Sequence, residues 1–190
     1  FGWTEDGKKA FVSVRSSTNP GDFYLLNTEK KSINYIGSSN QSLDLELLSE
    51  SKLFMFTARD GKQIQGIYSH PKDSQGNVPL IVIPHGGPKG PADVPFYDPW
   101  VQVLNSFGYA TLKVNFRSSG GYGDLLEDAG DKAWGTAVID DITDGVNWVL
   151  NNKKVNADKI CVIGASFGGY ATMMSLIREP DLYQCGVPMM

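Results

Sequence analysis

Hydrophobic and polar positions change rhythm along this chain, and the changes divide it. Up to about residue 47, short apolar runs alternate with turn chemistry. Asp6-Gly7 precedes Phe11-Val12-Ser13-Val14, Asn19-Pro20-Gly21-Asp22 precedes Phe23-Tyr24-Leu25-Leu26, and Thr28-Glu29-Lys30-Lys31 precedes Ile33-Asn34-Tyr35-Ile36. Three or four strands over roughly forty residues is the size of one propeller blade. One blade cannot bury both faces of its sheet, so residues 1–47 are expected to end a repeat array. The alternative is a small antiparallel β subdomain standing alone, which is disfavoured because isolated hairpins are marginal.

From Ser51 the pattern lengthens. Phe54, Phe56 and Ala58 alternate with polar neighbours, Asp60-Gly61 turns the chain, and Gln63 to Tyr68 returns as a second strand. Val78 to Pro84 is an apolar strand ending in His85-Gly86-Gly87-Pro88. A helical period follows, with Asp98 as N-cap and Pro99 in the first turn. Trp100, Val103, Leu104 and Phe107 form its apolar stripe, and Gly108 lies just past its end. Tyr109 to Phe116 is the next strand, and a longer helix spans about Thr136 to Asn152 with Val138, Ile142, Val146 and Val149 inward. Asp140, Asp141 and Asp144 fall on its other faces and are expected to be solvated or capping. Residues 48–190 therefore alternate strand and helix, the signature of a doubly wound α/β domain with a mostly parallel sheet. In such sheets sites form outside the carboxyl ends of the strands, where His85-Gly86-Gly87, Arg117 and Ser166 all fall.

The strongest chemistry lies in Lys159 to Met174. Ile160, Cys161, Val162 and Ile163 read as a buried strand, and Gly164-x-Ser166-x-Gly168 matches a nucleophile elbow, a sharp strand-to-helix turn that presents a serine. A side chain at 164 or 168 would collide across so tight a turn. A phosphate-cradling loop is the competing reading. It lacks the Lys and Ser/Thr that should follow the glycines, and no acidic residue stands about twenty positions on.

Composition narrows the partners. The chain has 190 residues, 41% hydrophobic and 20% charged, with a net charge of −4. That leaves no basic footprint for nucleic acid or anionic lipid. No apolar run reaches the roughly eighteen residues of a membrane helix. The start at Phe1-Gly2-Trp3, without Met and inside a strand-like pattern, reads as cut, so compartment stays open. Cys161 and Cys185 lie in apolar runs and are expected to be buried free thiols rather than a disulfide. His70 and His85 are the only histidines. With no Cys/His cluster, neither a metal nor another cofactor is expected.

A serine hydroxyl needs a base to take its proton and fixed donors for the oxyanion that forms. The backbone N–H of Phe167 is one candidate donor. The other comes from His85-Gly86-Gly87-Pro88, with Gly87 favoured and Gly86 close behind.

His85-Gly86-Gly87-Pro88, Asn115 to Gly123, Trp134-Gly135 and Gly164 to Tyr170 together resemble the prolyl oligopeptidase family of serine peptidases, in its acylaminoacyl-peptidase and dipeptidyl-peptidase branch. The resemblance covers about residues 50–190. It implies the N-terminal part of an α/β-hydrolase domain (48–190) behind the last blade of a β-propeller (1–47), and short peptides as substrates. It also implies Ser166 as nucleophile, Gly87 and Phe167 as oxyanion donors, and Arg117 and Tyr122 as shapers of the adjoining loop. Assembly into a homo-oligomer is compatible with it. The family's Asp and His follow the serine, and none follows here in the right place. His70 is expected at the surface and His85 as a holder of its loop. The 190 residues are thus expected to be a fragment without peptidase turnover of its own. A carboxylesterase and a non-catalytic interaction fragment with a relic elbow are the alternatives.

Overall fold

The computed structural model describes residues 2–190; Phe1, the first residue of the strand-like start, lies outside them. Two sheets organise the described chain. The first is antiparallel and follows sequence order: β1 (Gly2–Trp3), β2 (Lys9–Ser16), β3 (Asn19–Asn27) and β4 (Ser32–Ser38). Phe11 and Phe23 stack diagonally across the β2/β3 pair, 5.4 Å between centroids. Phe11, Val14, Ile33, Tyr35 and Ile36 nevertheless stay exposed, so this sheet does not cover its own apolar side chains.

The second sheet opens with a hairpin, β5 (Ser51–Thr57) and β6 (Gln63–Ser69), whose turn uses Gly61 at φ 88°. There follow β7 (Val78–Val82), α1 (Pro99–Ser106), β8 (Ala110–Asn115), the short α2 (Asp124–Asp128), α3 (Ala137–Asn152), β9 (Val155–Ala165), α4 (Phe167–Arg178) and β10 (Cys185–Met189). Strand order is β10-β9-β7-β8-β6-β5, parallel from β10 to β8 and antiparallel from β8 through β6 to β5. The chain goes from β7 out to β8, then crosses back past β7 to β9. That reversal places a switch point at the carboxyl end of β7.

The core lies on one face of this sheet. Leu80, Val82, Leu112, Val114, Ile160 and Val162 pack against Val138, Ile142, Val146 and Val149 of α3, all essentially without solvent exposure. At roughly 1.5–3 kcal/mol per fully buried large aliphatic side chain, this layer dominates the stability of the domain. Gly145 lets α3 approach closely, because a Cβ there would press on Val114 and Phe56. The stripe Val138, Ile142, Val146 and Val149 is buried as its spacing predicts.

Helix α1 departs from its sequence reading. Its cap is as expected, with Asp98 Oδ1 accepting from Trp100 N–H (2.8 Å) and Val101 N–H (3.3 Å). Its stripe is not inward: Trp100, Val103 and Phe107 are 64%, 49% and 76% exposed, while Val101, Gln102 and Asn105 are buried. Polar contacts set the rotation. The Gln102 amide accepts from Ser49 N–H and donates to the carbonyls of Ser49 and Ser17, joining α1 to the segment just before β5 and to the turn between β2 and β3. Asn105 receives the Ser69 hydroxyl (2.6 Å) and donates to Tyr109 C=O (2.7 Å).

The cysteines also differ from expectation. Cys161 and Cys185 stand directly opposite in β9 and β10, Cα atoms 4.7 Å apart, and form a disulfide. Neither is buried. Apolar neighbours in sequence indicated burial, but both residues lie on the sheet face away from α4, where little covers them. Spacing of 24 residues carries no register, so the pairing was not readable.

Candidate active site

The elbow is built by close backbone approach. β9 ends at Ala165, Ser166 takes φ 55° and ψ −125°, and α4 starts at Phe167. A non-glycine residue in that conformation is strained and persists only where its surroundings enforce it. The enforcing contacts are glycine to backbone. A Cβ on Gly164 would overlap the Gly168 backbone, one on Gly168 the Pro84 carbonyl, and one on Gly169 the Met189 carbonyl. Ser166 N–H donates to Met189 C=O (2.9 Å), and Ser166 C=O accepts from Gly169 N–H (2.9 Å) and Tyr170 N–H (3.2 Å). The serine side chain is exposed. Phe167, as first residue of α4, has an N–H with no intrahelical partner, at the positive end of the helix dipole. Its ring is fixed among Phe116, Trp134 and Tyr170 at 5.6–6.0 Å.

The glycine-rich loop after β7 reaches the same point. A Cβ on Gly86 would stand 3.6 Å from Ser166 Cβ and 3.9 Å from its Oγ, so the Gly86 backbone lies against the nucleophile. Gly87 follows at φ 129°, where a side chain would be strained and would press on Pro91 and the Lys89 nitrogen. His85 Nδ1–H donates to Gly86 C=O (2.8 Å), which leaves Nε2 to accept from the Ser119 hydroxyl (2.8 Å). The ring stacks on Phe116 at 4.2 Å, and burial pushes its pKa below the ordinary histidine value. His85 is therefore a neutral brace with both nitrogens engaged. His70 is half-buried at the opposite edge, beyond the end of antiparallel β6, with Nδ1 against Tyr68 Oη (2.7 Å).

The strand on the other side of β7 from the elbow is anchored by charge. Arg117, at the carboxyl end of β8, donates to Asp141 Oδ2 from its backbone N–H (2.9 Å) and Nε (2.8 Å), and to Oδ1 from Nη2 (2.7 Å). Its Nη1 donates to Asp60 Oδ2 (2.9 Å), which holds the Asp60 carboxyl well below the usual carboxylate range. Asp141 is fully buried and not part of a solvated acidic face; only Asp140 and Asp144 meet an exposed partner, Arg59. Its position on the inward side of α3, between Val138 and Ile142, was the signal in the sequence. Tyr122 Oη accepts from Asn115 Nδ2 (2.7 Å) and donates to Gln65 Oε1 (2.5 Å), so it fixes the loop to the hairpin. Lys113 bridges Asp93 (3.0 Å) and Asp98 (2.5 Å). Burial disfavours its charge, but the two carboxylates more than offset this and raise its pKa.

Beside the elbow lies a cavity of about 250 Å³, bounded by Gly86, Ala165, Ile163, Met189, Trp100 and Leu104. A larger depression of about 400 Å³, near His70 and Lys153, is at the other edge of the sheet and contains no part of the elbow. Exposed serine, helix N-terminus and glycine loop form an arrangement suited to acyl transfer at a carbonyl.

Residues 96–189 match the model of the prolyl oligopeptidase family. The chain is 30% identical over 192 residues to dipeptidyl aminopeptidase BIII of Pseudoxanthomonas mexicana, covering 97% of this chain and 28% of that protein. It is 34% identical over 198 residues to dipeptidyl peptidase family member 6 of Caenorhabditis elegans, covering 93% and 27%. Among solved structures, a puromycin hydrolase superposes with TM-score 0.81 at 25% identity over 95% of this chain and 28% of that one. The acylaminoacyl peptidase of Pyrococcus horikoshii gives 0.79 at 26%, over 94% and 29%. The chain thus spans between a quarter and a third of the length of the relatives it matches.

Proposed function

The chain belongs to the prolyl oligopeptidase family of serine peptidases, and on that premise we propose that Ser166 attacks the peptide carbonyl of short peptides and carries the acyl group. The N–H groups of Phe167 and Gly87 receive the oxyanion of the tetrahedral intermediate. Collapse expels the amine, and water then releases the acid from the Ser166 ester. The single observation that carries this reading is the strained Ser166, exposed at the carboxyl end of β9, with α4 beginning at the next residue and Gly86 packed against it. The cavity beside Ala165 and Gly86 suits an apolar substrate side chain. Its named relatives include a dipeptidyl aminopeptidase and an acylaminoacyl peptidase, which supports action near peptide N-termini. We read residues 1–47 as propeller blade and residues 48–190 as hydrolase.

Activation of Ser166 needs a base whose nitrogen faces the hydroxyl. Both nitrogens of His85 are engaged, and His70 sits at the far edge of the sheet. The 190 residues by themselves are therefore expected to show no turnover. The test uses the full-length protein with an aminoacyl anilide and the matched ester. Ser166→Ala should lower kcat/KM for the anilide by about 10⁴-fold or more. An active Ser166→Ala protein would overturn the nucleophile. Hydrolysis of the ester alone would assign a carboxylesterase, and no hydrolysis of either by the wild type would favour an interaction module.

A further inference from the structure

We propose that Lys113 is a positioning residue for the oxyanion donor Gly87: by pairing with Asp93 and Asp98 it fixes the loop of residues 83–98, between β7 and α1, against β8. The catalytic half rests on Ser166 as nucleophile and Gly87 as donor; the tie between Lys113 and the loop does not.

Residues 83–98 carry Gly87 and contain neither helix nor strand. No regular backbone pattern fixes them, so the donor is only as well placed as the contacts that hold its loop. Near Gly87 the loop folds back on itself, with the Pro91 ring against the Gly87 α-carbon, where a Cβ would stand 3.1 Å from Pro91 Cδ. Two backbone bonds then join it to the loop after β8. Gly90 N–H donates to Ser118 C=O (3.0 Å), and Pro91 C=O accepts from Gly120 N–H (3.3 Å).

Asp93 is where this loop meets β8 itself. Lys113 and Asn115 stand two apart in β8 and so share a face, opposite to that of Leu112 and Val114 in the core. Asn115 takes the Asp93 backbone, accepting its N–H at Oδ1 (2.7 Å) and donating from Nδ2 to its C=O (2.9 Å). Lys113 takes the side chain, donating from Nζ to Asp93 Oδ1 (3.0 Å). The same ammonium donates to Asp98 Oδ2 (2.5 Å), and the other oxygen of Asp98 caps α1. One cation thus ties both the middle of the loop and its helical end to a single position on a central strand.

Burial sets this tie apart from the other ion pair of the loop. The side chains of Lys113, Asp93 and Asp98 are 14%, 15% and 27% exposed, so their attraction is little screened and losing one charge leaves the others half-paired. Lys89 follows Pro88 and is nearer to Gly87 in sequence, but its partners Asp128 and Asp131 are exposed. Pairs of that kind hold little. Without Lys113 the segment 91–98 loosens from β8, Pro91 moves with it, and the Gly87 N–H loses its aim.

The test uses two variants of the full-length protein. Asp93→Asn keeps the backbone bonds to Asn115 and removes one charge, whereas Lys113→Met removes the shared cation. Each should lower kcat about 10- to 100-fold with KM within about twofold, because the donor acts on the transition state. Affinity for a peptide trifluoromethyl ketone, whose adduct on Ser166 bears the oxyanion, should fall by a similar factor. In a Ser166→Ala background, Asp93→Asn should leave the Kd of the uncleaved peptide unchanged. Lys89→Met should keep kcat within about twofold of wild type. Amide hydrogen exchange, which assumes no activity, should be about tenfold faster at Gly90 and Asp93 in both variants, while Leu80 and Val82 in β7 keep their rates. A raised KM at unchanged kcat, an equal loss in Lys89→Met, unchanged exchange in the loop, or equal acceleration in β7 would each overturn the proposal. If Lys113→Met does not fold, Asp93→Asn decides it alone. Should Ser166→Ala retain full activity, the nucleophile and the catalytic half fall together, and the exchange result still decides whether Lys113 holds the loop.

Discussion

Replacing Asp141 by Asn tests the charge anchor beneath the active-site loops. The Asp141 side chain is fully buried and that of Arg117 is 6% exposed, so water cannot replace what is lost. Three donors of Arg117 converge on the carboxylate within 2.7–2.9 Å, two from the guanidinium and one from the backbone. Asn keeps one acceptor, turns an amide toward the guanidinium and leaves a buried cation half-paired. Removing one partner of a buried pair costs about 3–5 kcal/mol, against a total stability of about 5–15 kcal/mol. With a urea m-value of about 2 kcal/mol/M, the midpoint should fall by roughly 2 M at unchanged m. The double variant Arg117→Leu/Asp141→Leu removes both buried charges and should be more stable than Asp141→Asn, with a remaining loss of about 1–3 kcal/mol because the Arg117 backbone N–H is left without its acceptor. Asp60→Asn should cost at most about 1 kcal/mol, since the Asp60 side chain is 38% exposed. A loss under about 1 kcal/mol for Asp141→Asn, or a double variant as unstable as the single one, would refute the reasoning.

Other expectations follow from the same geometry. Gly168→Ala places a methyl on the Pro84 carbonyl, so it should cost about 1–3 kcal/mol and, by moving the Phe167 N–H, lower kcat by about 10²-fold or more; thermal melts and initial rates check both. His85 has its pKa lowered by burial, so the unfolded chain binds its proton first as pH falls. Stability should therefore drop as pH falls from about 6.5 toward the lowered folded value, with a slope from this residue of at most about 1.4 kcal/mol per pH unit. His85→Gln should remove that share of the slope, while His70, also lowered by burial, keeps its own.

Much of the site was legible because its signals are steric and local. Gly164, Ser166 and Gly168 announce a turn that admits no side chains, and the colliding atoms are those of the turn and of Pro84. The α3 stripe was legible because a fully apolar face has one place to go. Helix α1 was misread on the same rule: Gln102 and Asn105 hold the inward side by hydrogen bonds to Ser17, Ser49, Ser69 and Tyr109, and no apolar periodicity encodes those partners. Asp141 looked solvated beside Asp140 and Asp144 because its partner lies 24 residues upstream, at the end of another strand. The cysteine pairing likewise depends on which strands become neighbours, a property of topology rather than of local pattern.

The most direct measurement is the location of a covalent adduct. Full-length protein treated with an organophosphonate, then reduced, alkylated and digested with trypsin, should carry one adduct on the peptide Ile160–Arg178, assigned by fragmentation to Ser166 and absent from Ser166→Ala. An adduct on Ser118 or Ser119 instead, or no adduct at all on the wild-type protein, would contradict the assignment of Ser166 as nucleophile.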